Sequence, residues 1–215
     1  SAFRQPDMRG VVAYSSLAQM GLIFLGLTAF TGAGAEQGLA GSYLQAINHG
    51  LVSAAFFLFI GIIEVRTGET HFARLGGLAT GRARFATIGL VLTLITLAVP
   101  GASTFAGELL ILAGVFRGAV AGPLLATLGA AAIVLAAMYA LRLIAGYAFT
   151  EREDEAEQAR VAHERFGADL GVRELIVVGP LVLALLVLSV WPNLTHRAMN
   201  EQPVAIATAA DPLVA

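Results

Sequence analysis

Five predominantly apolar runs, at residues 11–30, 43–63, 85–116, 122–149 and 175–191, constrain this chain more than any other feature. Each is at least as long as the roughly 17–25 residues a helix needs to cross about 30 Å of hydrocarbon. A bilayer interior offers backbone groups no water, so such segments cross it as helices that satisfy their own amides. The expected fold is all-α: a polytopic membrane helical bundle of about five transmembrane helices, one single bundle over residues 1–215. Composition agrees, because charged residues make up only 13% of the chain against about 25% in soluble domains.

The run at 85–116 is too long for one straight span and too short for two full spans with a turn. Pro100-Gly101 sits at its middle. Proline donates no backbone hydrogen bond and clashes with the preceding turn, so the third span is expected to be broken there into two half-helices. Counting 85–116 as one broken span puts Arg4, Arg9, Arg66, Arg74, Arg82, Arg84, Arg152, Arg160, Arg165 and Arg173 on one side, with Arg117 and Arg197 opposite. The positive-inside rule then makes the N-terminus and the loops 64–84 and 150–174 cytoplasmic, and the tail 192–215 external. Trp191 ends the last span at an interface-suited position.

Neither charge sign dominates at a net −2, and no lysine is present, so nothing points to nucleic acid. The chain has no cysteine, which excludes a disulfide framework and any cysteine-ligated cluster or zinc held by these residues. Ser1 is followed by no signal-peptide pattern, and the chain reads as one that starts within a longer protein. Gly32, Gly34 and Gly38 have the wrong spacing for a dinucleotide fingerprint, and there is no Walker sequence, nucleophilic-serine motif or metal-ligand pair.

Polar side chains deep in a span are costly and so are candidates for function. Glu108 leads, eight residues past Pro100, where the second half-helix could stabilise a carboxylate and admit water; a structural carboxylate serving the broken backbone is the alternative. Thr93, Thr96, Pro100, Thr104 and Glu108 recur at three- and four-residue steps, a polar face if the halves are coaxial, although such hydroxyls also bond their own helix backbone. Gln45, His49 and Ser53 follow one face at one-turn intervals, the spacing of a proton relay, with a packing histidine as the alternative. Ser15 and Gln19, beside Tyr14 and Ser16, fit interhelical hydrogen bonding or a water path equally. Arg142 either snorkels to the interface or pairs with an internal acid. Glu64 and Arg66 are expected to form an interfacial ion pair. The charged run 151–165 reads as a solvated loop or short surface helix, or as a contact with a neighbouring subunit, and Gly122, Ala126 and Ala130 as a ridge for close helix packing.

Three stretches carry a resemblance: Arg9-Gly-Val-Val-Ala-Tyr-Ser-Ser-Leu-Ala-Gln-Met-Gly21, Gln45-Ala-Ile-Asn-His-Gly50 with the following Leu-Val-Ser-Ala-Ala-Phe-Phe, and Val99-Pro-Gly-Ala-Ser-Thr-Phe-Ala-Gly-Glu108. In order and spacing they resemble the antiporter-like subunits of NADH-quinone oxidoreductase (respiratory complex I), particularly the M type, subunit 4 in mitochondria. Such a subunit has about fourteen helices, including two inverted five-helix repeats each with a broken helix, and this chain would supply the last five. The resemblance implies that Glu108 is the exit-side proton carrier; the L and N types usually have lysine there, so Glu108 favours M. It implies that His49 relays protons in a central polar axis, and Gln19, Gln45, Ser53, Thr104 and Arg142 join the candidate translocation set on the residue types and spacing above. Gln19 stands where members often have a further histidine, and a glutamine cannot carry a proton as an ionised intermediate.

The family's upstream glutamate–lysine pair and central lysine have no counterpart in these residues, so this piece alone would not pump. The resemblance further implies a subunit of a proton-pumping NADH:quinone oxidoreductase with no redox centre of its own, NADH, FMN, iron–sulfur clusters and quinone being held by partner subunits. The partners implied are other complex I membrane subunits, especially neighbouring antiporter-like ones, and the lipid bilayer. The location implied is the cell inner membrane. Cation/proton antiporters and membrane-bound hydrogenases share the architecture, and a scaffold without an ion path is a reading from a different class.

Overall fold

A computed structural model describes residues 2–29, 33–118, 121–149 and 156–191. Among these residues the regular structure is helical: α1 Met8–Leu27, α2 Ala35–Thr67, α3 Ala83–Thr96, α4 Ser103–Gly118, α5 Gly122–Ala148, α6 Ala156–Phe166 and α7 Val172–Val190. Single 3-10 turns lie at Ala2–Arg4 and Phe72–Arg74. Four helices, α1, α2, α5 and α7, are long and apolar enough to cross a membrane. The broken pair α3 and α4 supplies the fifth span, with the interruption around Pro100-Gly101 as expected. The chain is a multi-pass helical bundle whose outer surface carries large apolar side chains, among them Leu17, Phe24, Leu124, Leu135 and Leu183. A water-facing surface would not tolerate so many. The tail 192–215 and residues 150–155 lie outside the described residues.

Helix ends follow local chemistry more than hydropathy. Asp7 caps α1, its carboxylate accepting from the Gly10 amide at 2.7 Å, so the helix starts before the apolar run does. The 33 residues of α2 correspond to about 50 Å, well beyond the run at 43–63. Glu36 and Gln37 at one end and Glu64, Arg66 and Thr67 at the other are polar yet helix-compatible, and Gly68, at φ 77°, terminates it in the left-handed region. Asp169 caps α3 from a distance in sequence, accepting from the Arg84 and Phe85 amides at 2.8 and 2.9 Å.

The break itself is held by side chains and turns. Ala98 takes φ 48° and Gly101 φ 100°, and the Thr104 hydroxyl of α4 donates back to the Ile95 carbonyl of α3. The Ser103 amide donates to Ser189 Oγ on α7 at 3.0 Å, satisfying one of the free donors at the start of α4.

Glycine sets the closest packing. A Cβ on Gly114 would lie 2.2 Å from the Gly38 nitrogen, and one on Gly41 2.6 Å from the Ile111 nitrogen, so α2 and α4 touch backbone to backbone. On α5 the close-packing ridge runs through Gly122, Ala126 and Gly129, all buried, while Ala130 is only half-buried.

The end of the bundle that carries the 64–84 loop has its own core. Phe59 stacks on Phe85 with centroids 4.7 Å apart, and Tyr147 and Phe166 meet Phe85 edge-on. The Arg66 and Arg82 guanidinium groups both lie over the Phe166 ring, at 4.7 and 4.9 Å. This corrects the expected Glu64–Arg66 pair. Residues two apart on a helix point to different sides, and Glu64 instead pairs with Arg9 while Arg66 pairs with Glu174. Arg66 also donates to the Phe166 carbonyl at 3.1 Å. The run 151–165 contains a short helix, α6, packed onto the bundle through Ala162 and Phe166.

Candidate polar axis

Three helices bring their amides and carboxylate to one buried point. Gln45 Nε2 of α2 donates to Gln19 Oε1 of α1 at 2.9 Å, and Gln19 Nε2 donates to Glu108 Oε1 of α4 at 3.3 Å. Glu108 is 4% exposed and Gln45 2%. The chain of donors is directional. Each amide directs an N–H toward the carboxylate, so the geometry suits an acceptor that bears negative charge.

His49 lies one turn from Gln45 and one turn from Ser53. Its imidazole is within 3.2 Å of Ser53 Oγ, and Ser53 is 3.4 Å from Ser16 Oγ on α1. A cavity of about 30 Å³ lies beside these groups, its polar lining from Ser15, Gln19, Gln45, His49, Ser53, Thr96, Thr104 and Tyr139 and the rest of its wall apolar, from Val11, Val12, Val52, Phe56, Ala140 and Leu143. That exceeds the room one water needs, and the lining supplies donors and acceptors for it. Water held beside the imidazole can exchange a proton with it, and Gln19 stands between this cavity and the Glu108 carboxylate.

Of the residues singled out from the sequence, Glu108, His49, Gln19, Gln45, Ser53 and Thr104 converge here. Arg142 does not line this cavity. Its guanidinium donates to the Phe3 carbonyl and lies over the Phe3 and Phe72 rings, at 5.6 and 5.2 Å, at the end of the bundle where the N-terminal segment packs. Its long stem lets the charge leave the helix toward that end, the snorkelling alternative. Thr93 and Thr96 donate to the Gly89 and Leu92 carbonyls at 2.8 Å, so both hydroxyls are used by their own helix, as is Ser15 on Val12.

Glu108 falls in the second turn of α4, past the first-turn amides. The helix N-terminus acts mainly over its first turn, so the Gln19 amide, and not the freed backbone, is the partner the carboxylate has. Tyr139 on α5 was not singled out from the sequence. Its hydroxyl faces the same cavity beside Gln19 and Glu108, inside an apolar run where a phenol reads as packing. A polar atom in mid-span was the signal for it.

Comparison with known proteins fits this geometry. A family described as NADH:quinone oxidoreductase/Mrp antiporter, TM, matches residues 1–136. NADH-quinone oxidoreductase subunit M of Rhodobacter capsulatus is 35% identical over 193 residues, which cover 90% of this chain and 35% of that protein. The chain therefore spans about a third of the length of that curated relative. Respiratory complex I from Thermus thermophilus with bound NADH contains a chain that superposes with a TM-score of 0.75 at 31% identity, covering 91% of this chain and 38% of that one. A chain of the membrane-bound sulfane sulfur reductase, an archaeal respiratory membrane complex, gives 0.71 at 28%, covering 88% and 29%. With the family match over more than half its length, and helices that place Gln19, Gln45 and His49 around one cavity and Glu108 on Gln19, this chain belongs to the NADH:quinone oxidoreductase/Mrp antiporter transmembrane family.

Proposed function

We propose that this chain forms the C-terminal part of an M-type antiporter-like subunit in the membrane arm of a proton-pumping NADH-quinone oxidoreductase. The observation that carries the reading is the Gln45–Gln19–Glu108 chain of donors, set beside the His49–Ser53 pair on a small cavity that Thr96 and Thr104 of the broken span also line. Glu108 loads and releases the proton, and His49 exchanges it with water in the cavity. Gln19 and Gln45 hold the carboxylate in place, and Thr104 fixes the break through Ile95. A change in a neighbouring charge is what alters the proton affinity of Glu108 between loading and release.

Redox chemistry belongs, in this reading, to partner subunits that hold NADH, FMN, iron–sulfur clusters and quinone, and neighbouring antiporter-like subunits flank the bundle. In this reading the protein lies in the inner membrane with the 64–84 and 150–174 loops facing the cytoplasm, an orientation that the arginine distribution supports. The likeness to the sulfane sulfur reductase chain supports a second reading, in which the same axis is driven by a different oxidoreductase. Subunits that copurify with the full-length protein separate the two.

The test is NADH-driven proton uptake into inverted vesicles, comparing the full-length protein with its Glu108→Gln form at equal abundance of assembled complex. Loss of uptake with assembly intact supports the carrier role. Unchanged uptake per electron would make Glu108 structural and favour a scaffold without an ion path.

A further inference from the structure

The last turn of α6 is held by two arginines from other elements. The final carbonyls of a helix have no partner within it, and here guanidinium groups supply the donors. Arg82 Nη2 donates to the His163 carbonyl and Arg82 Nε to the Gly167 carbonyl, both at 2.8 Å, and Arg66 Nη1 donates to the Phe166 carbonyl at 3.1 Å. Arg82 is buried, as are Ala162 and Phe166, which fix α6 on the bundle through their apolar contacts.

The half-buried His163 imidazole stands inside this contact, with one nitrogen facing two groups of opposite demand. Its Nδ1 is 3.1 Å from Arg82 Nη1 and 3.0 Å from the Gly77 carbonyl oxygen. A guanidinium only donates and a carbonyl only accepts, while a ring nitrogen carries either a lone pair or a hydrogen. With a lone pair, Nδ1 accepts from Arg82, whose other Nη1 hydrogen goes to the Leu78 carbonyl at 2.9 Å. In the imidazolium both nitrogens carry hydrogens. Nδ1 then donates to Gly77, the Arg82 bond is lost, and two positive charges face each other across 3.1 Å.

The charged neighbours among the described residues do little to relieve that repulsion. Arg66 of α2 shares the Phe166 ring with Arg82, and Arg165 of α6 donates to the Thr67 carbonyl at 3.4 Å. Each acid has a partner of its own: Glu174 of α7 has Arg66, Glu164 has Arg160, Glu69 of the facing loop has Arg74, and Asp169 accepts from the Arg84 and Phe85 amides. His71 of that loop caps the Phe72–Arg74 turn. A helix C-terminus favours a cation, but this one already has two.

We propose that His163 is a proton-operated latch: neutral, it accepts from Arg82 and holds α6 on the bundle, and protonated, it turns that contact repulsive and lets α6 swing away from the Phe59–Phe85–Phe166 cluster. Histidine is the side chain whose charge ordinarily changes between about pH 5 and 8, so the latch opens as the surrounding water turns acid. Asp169, held below the usual carboxylate range by its amide donors, keeps its charge over that window. As a sensor of cytoplasmic pH the latch rests on the orientation proposed above. As a pH-dependent contact it stands apart from it.

The test is amide hydrogen exchange of the full-length protein in its assembled complex, at about pH 8 and about pH 6, with rates corrected for the intrinsic effect of pH. Protection over residues 160–170 should fall about tenfold at the lower pH while residues 180–190 of α7 stay protected, since opening that takes up one proton shifts by up to tenfold per pH unit. His163→Gln should stay protected at both, because a neutral amide can offer its oxygen to Arg82 and its N–H to Gly77. His163→Lys should be open at both. No fall in wild type, the same fall in His163→Gln, or a fall that α7 shares equally overturns the latch. If His163→Lys does not assemble, wild type and His163→Gln decide the matter alone. In inverted vesicles, acidifying only the outer medium should open α6, whereas a response only to lumenal acid refutes the orientation and leaves the latch standing.

Discussion

A single methyl group should have opposite effects at two places on the α2–α4 system. At Gly114 a Cβ would sit 2.2 Å from the nitrogen and 2.5 Å from the Cα of Gly38, whereas ordinary contact begins near 3.4 Å. Both obstacles are backbone and cannot rotate aside, so the helices must part by about 1 Å. Overpacking of this kind costs about 1–3 kcal/mol, and a steric conflict between two main chains belongs at the upper end. Against it stands the gain of about 1 kcal/mol for replacing glycine by alanine in a helix. Gly114→Ala should therefore lose about 1–2 kcal/mol net. At Gly50 of α2 nothing lies within 4 Å of the added Cβ, so Gly50→Ala keeps the propensity gain and should be neutral or stabilising. Equilibrium unfolding of the full-length protein in mixed detergent micelles reads the difference. Gly114→Ala should also lower NADH-driven proton uptake, since Gln45 packs on Gly107 of the same seam and donates to Gln19. Equal stability of the two variants would refute the backbone contact.

Gln19→Leu, which deletes the donor to Glu108 and the acceptor for Gln45, should reduce proton uptake per NADH oxidised. Thr127→Ala, on the exposed face of α5 where the hydroxyl donates to the Pro123 carbonyl, should leave it near wild type, and equal effects would argue against a special role for the amide. Arg66→Met should open the 167–171 segment to proteases, because a lost hydrogen bond to a charged group costs about 1.5–3 kcal/mol and Arg66 holds both Glu174 and the Phe166 carbonyl. Arg9→Met, at a pair whose arginine is 53% exposed, should change proteolysis little, as exposed pairs contribute about 0–1 kcal/mol. Burial pushes the Asp169 carboxyl upward, but the amides of Arg84, Phe85 and Leu170 outweigh it and hold the group below its usual range. Its contribution is then complete above the unfolded value of about 3.9 and is lost as pH falls through the folded one. Acid titration of stability should show this loss, and Asp169→Asn should flatten that part of the profile.

Much of the architecture was legible because hydropathy and proline act locally. Runs of spanning length have to be helices in hydrocarbon, and Pro100 has to interrupt the run that contains it. The shared face of Gln45, His49 and Ser53 was legible for the same reason, since helical periodicity puts residues four apart on one side. Helix length was less legible. Polar, helix-compatible residues extend α2 past its apolar run at both ends, and hydropathy registers only the part that lipid would cover. The Glu64–Arg66 expectation failed because nearness in sequence is not nearness across a helix, and the true partners, Arg9 and Glu174, lie on other elements.

The sequence by itself determined a membrane bundle with one broken span and a few polar groups inside it, because those properties follow from residue type and spacing along single helices. Tertiary structure alone decided which of those groups meet. Gln19 and Glu108 are 89 residues apart in the chain and share a hydrogen bond, Ser53 reaches Ser16 on α1, and Arg142 leaves for the bundle end. These outcomes depend on the register of α2 against α1 and α4. That register is set by where glycine lets two backbones touch, a condition that involves two helices at once and is written in neither one alone.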